Sequence, residues 1–149
     1  AHLVDAKDQE FKVASGLRPA GAPVHDMRVR ITIDQSLVIR EVEAVSDAMP
    51  YAGECSRITP EYKKLVGMKI EAGFRLRVLS SMGGVKGCTH LTEIVCVMAS
   101  GAGQLPSWHD PEKRPFQING CHALVDSGEA VRTYYPRWYR PPAKNQAAE

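Results

Sequence analysis

The segment Met27-Arg-Val-Arg-Ile-Thr-Ile33 alternates residue by residue: Met27, Val29, Ile31 and Ile33 fall on one face, Arg28, Arg30 and Thr32 on the other. This period of two is that of a β-strand with one dry and one wet face. Asp34-Gln35-Ser36 is a tight-turn sequence, and Leu37-Val-Ile-Arg-Glu-Val-Glu-Ala-Val45 returns as a second strand. The pair predicts an antiparallel hairpin whose dry face must be covered by other parts of the chain. His2-Leu-Val-Asp5 reads as an opening strand, and Gly16 to Pro23 as a turn-rich connector.

The period then changes to that of helices. Thr59 is placed to cap a helix, Pro60 suits its first position, and Glu61 suits its positive end. Ile58, Tyr62, Leu65 and Val66 form its apolar stripe, and Gly67 stops it. A second helix is expected over Phe74–Ser81, closed by Met82-Gly83-Gly84. A third, capped by Thr89, is expected from about His90 to Ser100, with Gly101 ending it. Leu105 to Pro115 reads as irregular. Cys121–Asp126 and Glu129–Tyr135 flank Ser127-Gly128 and predict a second hairpin. Tyr134-Tyr-Pro-Arg-Trp-Tyr-Arg140 is expected to pack as an extended strap. The expectation is a single α+β domain over residues 1–142: an antiparallel sheet, two or three helices on one of its faces, a C-terminal β-hairpin, and a flexible tail at 143–149.

At 149 residues and 44% hydrophobic content, the chain can bury one core. A net charge of +2 argues against a dedicated nucleic-acid surface. No apolar run approaches the roughly 20 residues that span a bilayer, so no membrane partner is expected. No signal-peptide pattern is visible, and a cytoplasmic location is expected. The first residue is Ala1, in what reads as mid-strand, which leaves open whether a segment precedes it. The four cysteines allow two disulfides by count, but reduced thiols are the expectation for such a chain. Cys96, within Ile94-Val-Cys-Val-Met98, reads as core. An exposed sheet edge leaves a homodimer open.

Two phrases bring thiols beside imidazoles: Gly87-Cys88-Thr89-His90 and Gly120-Cys121-His122. Cys and His serve as soft metal ligands, and a thiolate also serves as a nucleophile. Cys88, just outside the third helix, is placed to turn toward the same point as His90 and to feel the helix's positive end. His25-Asp26 stands at a strand entrance, and Cys55 in a loop entering a helix. His25, Asp26, Cys55, Cys88 and His90 are therefore the candidate metal ligands, for zinc or iron(II), with Asp47 in reserve. His122 is the candidate for proton transfer. His2 and Asp5 are a candidate base and orienting carboxylate, although three residues apart on a strand they fall on opposite faces. Arg57, with Arg75 and Arg77 as alternatives, is the candidate for orienting a substrate. His109-Asp110 reads as solvated. No P-loop, dinucleotide fingerprint, nucleophile elbow or HExxH motif is present.

The stretches HLVDAKD, PVHDMRVRITID, ECSRITPEYKKLVGMKI, GGVKGCTHLTEI and NGCHAL together resemble a bacterial domain-of-unknown-function family, over nearly the whole chain. A second resemblance is to iron–sulfur assembly scaffolds of the IscU/SufU type, which set helices after an antiparallel sheet. Pro23-Val-His25-Asp26 stands near their Cys-Gly-Asp phrase, Gly53-Glu-Cys55-Ser-Arg-Ile58 is similar to their Gly-Cys-x-Ile-Ser phrase, and Gly87-Cys88 stands for their late cysteine. That resemblance implies one metal position among His25 or Asp26, Cys55 and Cys88, with His25 in place of a cysteine and His90 additional.

The leading expectation is a small metal-dependent lyase or hydrolase. Its substrate would be a small oxygenated compound, aromatic or carboxylated, with Tyr51, Trp108 and Trp138 lining a pocket. The alternatives are a non-catalytic metal or iron–sulfur carrier, and a metal-free acid–base lyase.

Overall fold

In the computed structural model, which describes residues 1–103, 110 and 112–142, the alternating segment is the middle of a three-stranded antiparallel sheet. The strands are β1 (His2–Ala6), β4 (Pro23–Ile33) and β5 (Ile39–Ala48), in the order β1-β4-β5. A short antiparallel hairpin, β2 (Phe11–Val13) and β3 (Gly16–Arg18), occupies part of the expected connector. The β4–β5 register pairs Val29 with Ala44 and Ile31 with Val42, and shifts by a bulge between Asp26 and Met27. The β1–β4 register pairs Leu3 with Met27 and Asp5 with His25.

The dry face is covered as the alternation requires. Met27, Val29, Ile39 and Val42 pack with Tyr62, Leu65, Phe74, Val78, Leu91 and Val95 in one core. The cover consists of α1 (Glu54–Arg57), a 3-10 helix (Thr59–Leu65), α2 (Phe74–Met82) and α3 (Thr89–Ala102). On the other face Arg28 pairs with Asp47 and Arg30 with Glu43. Antiparallel sheet and helices give the α+β class that the periodicities imply.

Several local expectations are corrected. Residues 59–65 form a 3-10 helix instead of an α-helix, preceded by α1. Thr59 does not cap it, because its hydroxyl donates to the Ser56 carbonyl at 2.9 Å. Thr89 is the first residue of α3 and Cys88 is its N-cap; the helix continues through Gly101 because Ala102 still has core to bury.

Ala1–Trp108 and His109–Glu149 form two compact units. In the second unit the expected hairpin is absent. Residues His122–Leu124 form a 3-10 turn, and α4 (Glu129–Tyr134) stands where the second strand was expected. The physical reasons are local. Glu129 sits at the positive end of α4 and pairs with Arg132 at i,i+3. Asn119 holds Asp126 through two hydrogen bonds, of 2.8 and 2.9 Å, which makes a turn of the intervening residues. Val131 is fully buried and anchors α4. The aromatic stretch is not an extended strap: Pro136–Trp138 is a 3-10 turn, with the Arg137 guanidinium 5.0 Å from the Trp138 ring centroid. The tail at 143–149 lies outside the described residues, as do Trp108 and His109.

Candidate functional site

The inward stripe of β4 does not end at Met27. Two residues earlier it carries His25, and the matching stripe of β1 runs from Leu3 to Asp5. Asp5 and His25 are thus direct cross-strand partners on the dry face, and His25 Nδ1 lies 3.1 Å from Asp5 Oδ2. The His25 side chain is 12% exposed. Lys7 donates to the other Asp5 oxygen at 2.8 Å. The bonds from Lys7 and His25 hold the Asp5 carboxyl below its usual range. Asp5 is therefore a carboxylate placed to accept a hydrogen bond from His25 Nδ1.

The N-terminus of α3 brings the second half. The His90 ring lies against His25, with centroids 4.1 Å apart and planes tilted by 41°. Its Nδ1 is 3.9 Å from Cys88 Sγ. Burial pushes the His90 imidazole toward its neutral form, a charge on His25 pushes the same way, and Asp5 opposes both.

Buried Tyr62 fixes this turn. Its hydroxyl accepts from the Cys88 N–H at 3.0 Å, lies 2.9 Å from the Cys88 carbonyl oxygen, and lies 2.8 Å from Thr92 Oγ1. Thr92 in turn donates to the Met82 carbonyl at 3.1 Å. The preceding residue must be glycine, since a Cβ on Gly87 would stand 2.2 Å from the Met82 carbonyl oxygen.

His25, Cys88 and His90 line a cavity of about 540 Å³ together with Cys55, and Met27, Pro50, Tyr51, Ile58 and Val85 contribute most of the rest of its wall. Glu54 is on the lining, and among the described residues no Lys or Arg is. All four cysteines are free.

The remaining candidates lie elsewhere, for reasons of strand geometry. His2 pairs with Asp26, not Asp5: Nε2 and Oδ1 are 2.6 Å apart on the outer face, diagonally across β1 and β4. Asp26 is thereby separated from His25, its neighbour in sequence, and Asp47 is engaged by Arg28 on that same outer face. Arg57 pairs with Glu54 at 2.9 Å with its side chain 76% exposed, and is not on the cavity wall. Arg75 is held by Glu93, and Arg77 by the Lys69 and Ala72 carbonyls. His122 is an exposed residue of the second unit. Tyr51 lines the cavity as expected.

Among the described residues, no three His, Cys, Asp or Glu side chains are placed to hold an ion. Asp5 occupies His25 Nδ1, and the two imidazoles lie ring against ring rather than meeting at a common point. Tyr62 and Thr92 escaped sequence reasoning because Tyr62 sat on an apolar stripe. The available signal was its hydroxyl, which a buried tyrosine must satisfy.

No described helix is long and apolar enough to cross a membrane. Residues 1–104 match the family model described as "Protein of unknown function (DUF2889)". The match takes in the sheet, α1 to α3 and the cavity, and it stops before the Gly120-Cys121-His122 phrase. No curated protein and no solved structure matches the chain.

Proposed function

This chain belongs to the family DUF2889, and we propose that it is a small acid–base enzyme whose proton-transfer groups are His25 and His90. The observation that carries the reading is the engagement of both Nδ1 atoms beside one cavity: His25 Nδ1 by Asp5, His90 Nδ1 by Cys88. The first contact selects the His25 tautomer with a basic Nε2. The second, in which the thiol donates, selects the His90 tautomer with an Nε2–H. One ring is then a base and the other an acid, which is what a lyase or hydrolase needs to remove one proton and supply another. The Asp5 carboxylate orients His25. The wall of Met27, Ile58 and Val85 suits a small, partly apolar oxygenated compound. With no Lys or Arg among the described residues of that wall, a neutral substrate fits better than a carboxylate.

Proton–carbon NMR of the imidazole rings tests this reading. Expected are an Nδ1–H tautomer for His25, an Nε2–H tautomer for His90, and a His90 titration below that of free histidine. Asp5→Asn should abolish the His25 preference and leave the fold intact. Added zinc should move neither ring. Stoichiometric zinc binding that shifts His25, His90 and Cys88 together would replace this reading with the metal-dependent one.

A further inference from the structure

We propose that Cys88 is a catalytic nucleophile and that the cavity hydrolyses small neutral esters through a thioester on its sulfur. The inference rests on the acid–base reading and deepens it by naming the covalent step and the substrate class.

Three observations converge on this thiol. Its sulfur lies 3.9 Å from His90 Nδ1, so a base is in place to receive its proton. Its backbone is gripped at both the N–H and the carbonyl by the hydroxyl of fully buried Tyr62, which fixes where the side chain starts. It caps the 14-residue α3, whose positive end favours charge developing on sulfur. Cys96 and Cys121 are not on the cavity wall; Cys55 is, but no hydrogen bond to its sulfur is present among the described residues.

The chemistry balances on one neutral imidazole. The Cys88 S–H proton passes to His90 Nδ1 as sulfur bonds to the ester carbonyl carbon. The tetrahedral intermediate expels the alkoxide, which takes the proton from His90 Nε2 and leaves as an alcohol. The ring now carries its proton on Nδ1. A water, hydrogen-bonded through one hydrogen to His25 Nε2, attacks the thioester carbon and gives its other proton to His90 Nε2, so that the first hydrogen stays on the product acid. The C–S bond breaks, and sulfur recovers its proton from Nδ1. The sum is ester plus water to acid plus alcohol. Each half-reaction passes through His90 as an imidazolium and returns it to the neutral ring, the resting state that burial favours.

The wild-type chain is treated with p-nitrophenyl acetate, quenched in acid and mapped by mass spectrometry; iodoacetamide rates are measured separately at each cysteine. The expected result is acetyl on Cys88, and alkylation of Cys88 faster than of exposed Cys121. His90→Ala and His90→Gln should each slow acetylation by about 100-fold, the usual contribution of a general base, without changing the Cys121 rate. Using two variants separates loss of the base from loss of the fold, which circular dichroism monitors. Acetyl absent from Cys88, or a Cys88 rate below that of Cys121 and insensitive to both variants, overturns the proposal. The NMR tautomers are read independently of these labels, so a failure of the covalent step is distinguishable from a failure of the acid–base reading.

Discussion

Tyr62→Phe removes one oxygen and keeps the ring in the core, so it isolates what the hydroxyl does. Three partners lose it: the Cys88 N–H at 3.0 Å, the Cys88 carbonyl at 2.9 Å and Thr92 Oγ1 at 2.8 Å. Two of these are still served. The Cys88 carbonyl keeps the Thr92 N–H at 2.9 Å, and Thr92 Oγ1 keeps the Met82 carbonyl at 3.1 Å. Among the described residues, the Cys88 N–H is left without a partner. An unsatisfied buried donor costs about 1–3 kcal/mol, so the expected loss is about 2 kcal/mol. With a urea slope of roughly 2 kcal/mol per molar, the unfolding midpoint should fall by about 1 M with the slope unchanged. Far-UV circular dichroism follows the transition. Thr92→Val and the double variant complete a cycle, and the two losses should be less than additive because the side chains share one network. A midpoint within about 0.25 M of wild type would mean that water reaches the Cys88 N–H, and the clamp would not exist as an energetic feature.

Gly87→Ala should destabilise by about 3 kcal/mol, since its Cβ would overlap the Met82 carbonyl at 2.2 Å and crowd the Tyr62 hydroxyl at 3.1 Å. Urea unfolding measures it, and a loss under about 1 kcal/mol would show that the turn yields. The pH dependence carries a definite sign. His90 has its folded value lowered, so as pH falls the unfolded chain takes up this proton first. Its contribution to stability declines from about pH 6.5 downward and levels off once the folded ring is also protonated. His90→Gln should flatten the stability curve in that window relative to wild type, and parallel curves would contradict the burial of a neutral ring.

The hairpin of β4 and β5 was legible because Met27–Ile33 alternates strictly, with Arg28, Arg30 and Thr32 exposed on one face, and a one-residue slip would turn Met27 and Val29 outward. The helical cover followed from the need to hide Met27, Val29 and Val42. The C-terminal segment was not legible. Its alternation over Cys121–Asp126 is short, and a two-stranded piece has little to hold it. Local i,i+3 contacts around Glu129 and a buried Val131 decided for helix instead. The family resemblance was similarly overextended: the matched region ends at residue 104, and the second Gly-Cys phrase lies beyond it.

The site shows how membership can be readable when partnership is not. Face assignment along a strand needs only counting, and counting correctly separates His2 from Asp5. Choosing who meets whom needs the register between β1 and β4, which lie far apart in sequence and are joined by no tight turn. That register pairs Asp5 with His25 and sends Asp26 to His2, so two acid–imidazole pairs form on opposite faces of the same two strands. They differ in what lies opposite. The outer pair is half-exposed: His2 is 51% and Asp26 29% accessible. The inner pair meets His90 and the N-terminus of α3. Continuing the Met27-Val29-Ile31-Ile33 stripe backwards reaches His25, a polar residue in an apolar series. A polar side chain on the dry face persists only where a partner satisfies it, and here Asp5 is that partner, with the His90 ring packed against the imidazole. The stripe therefore marks the site at the point where its hydrophobicity stops while its periodicity continues.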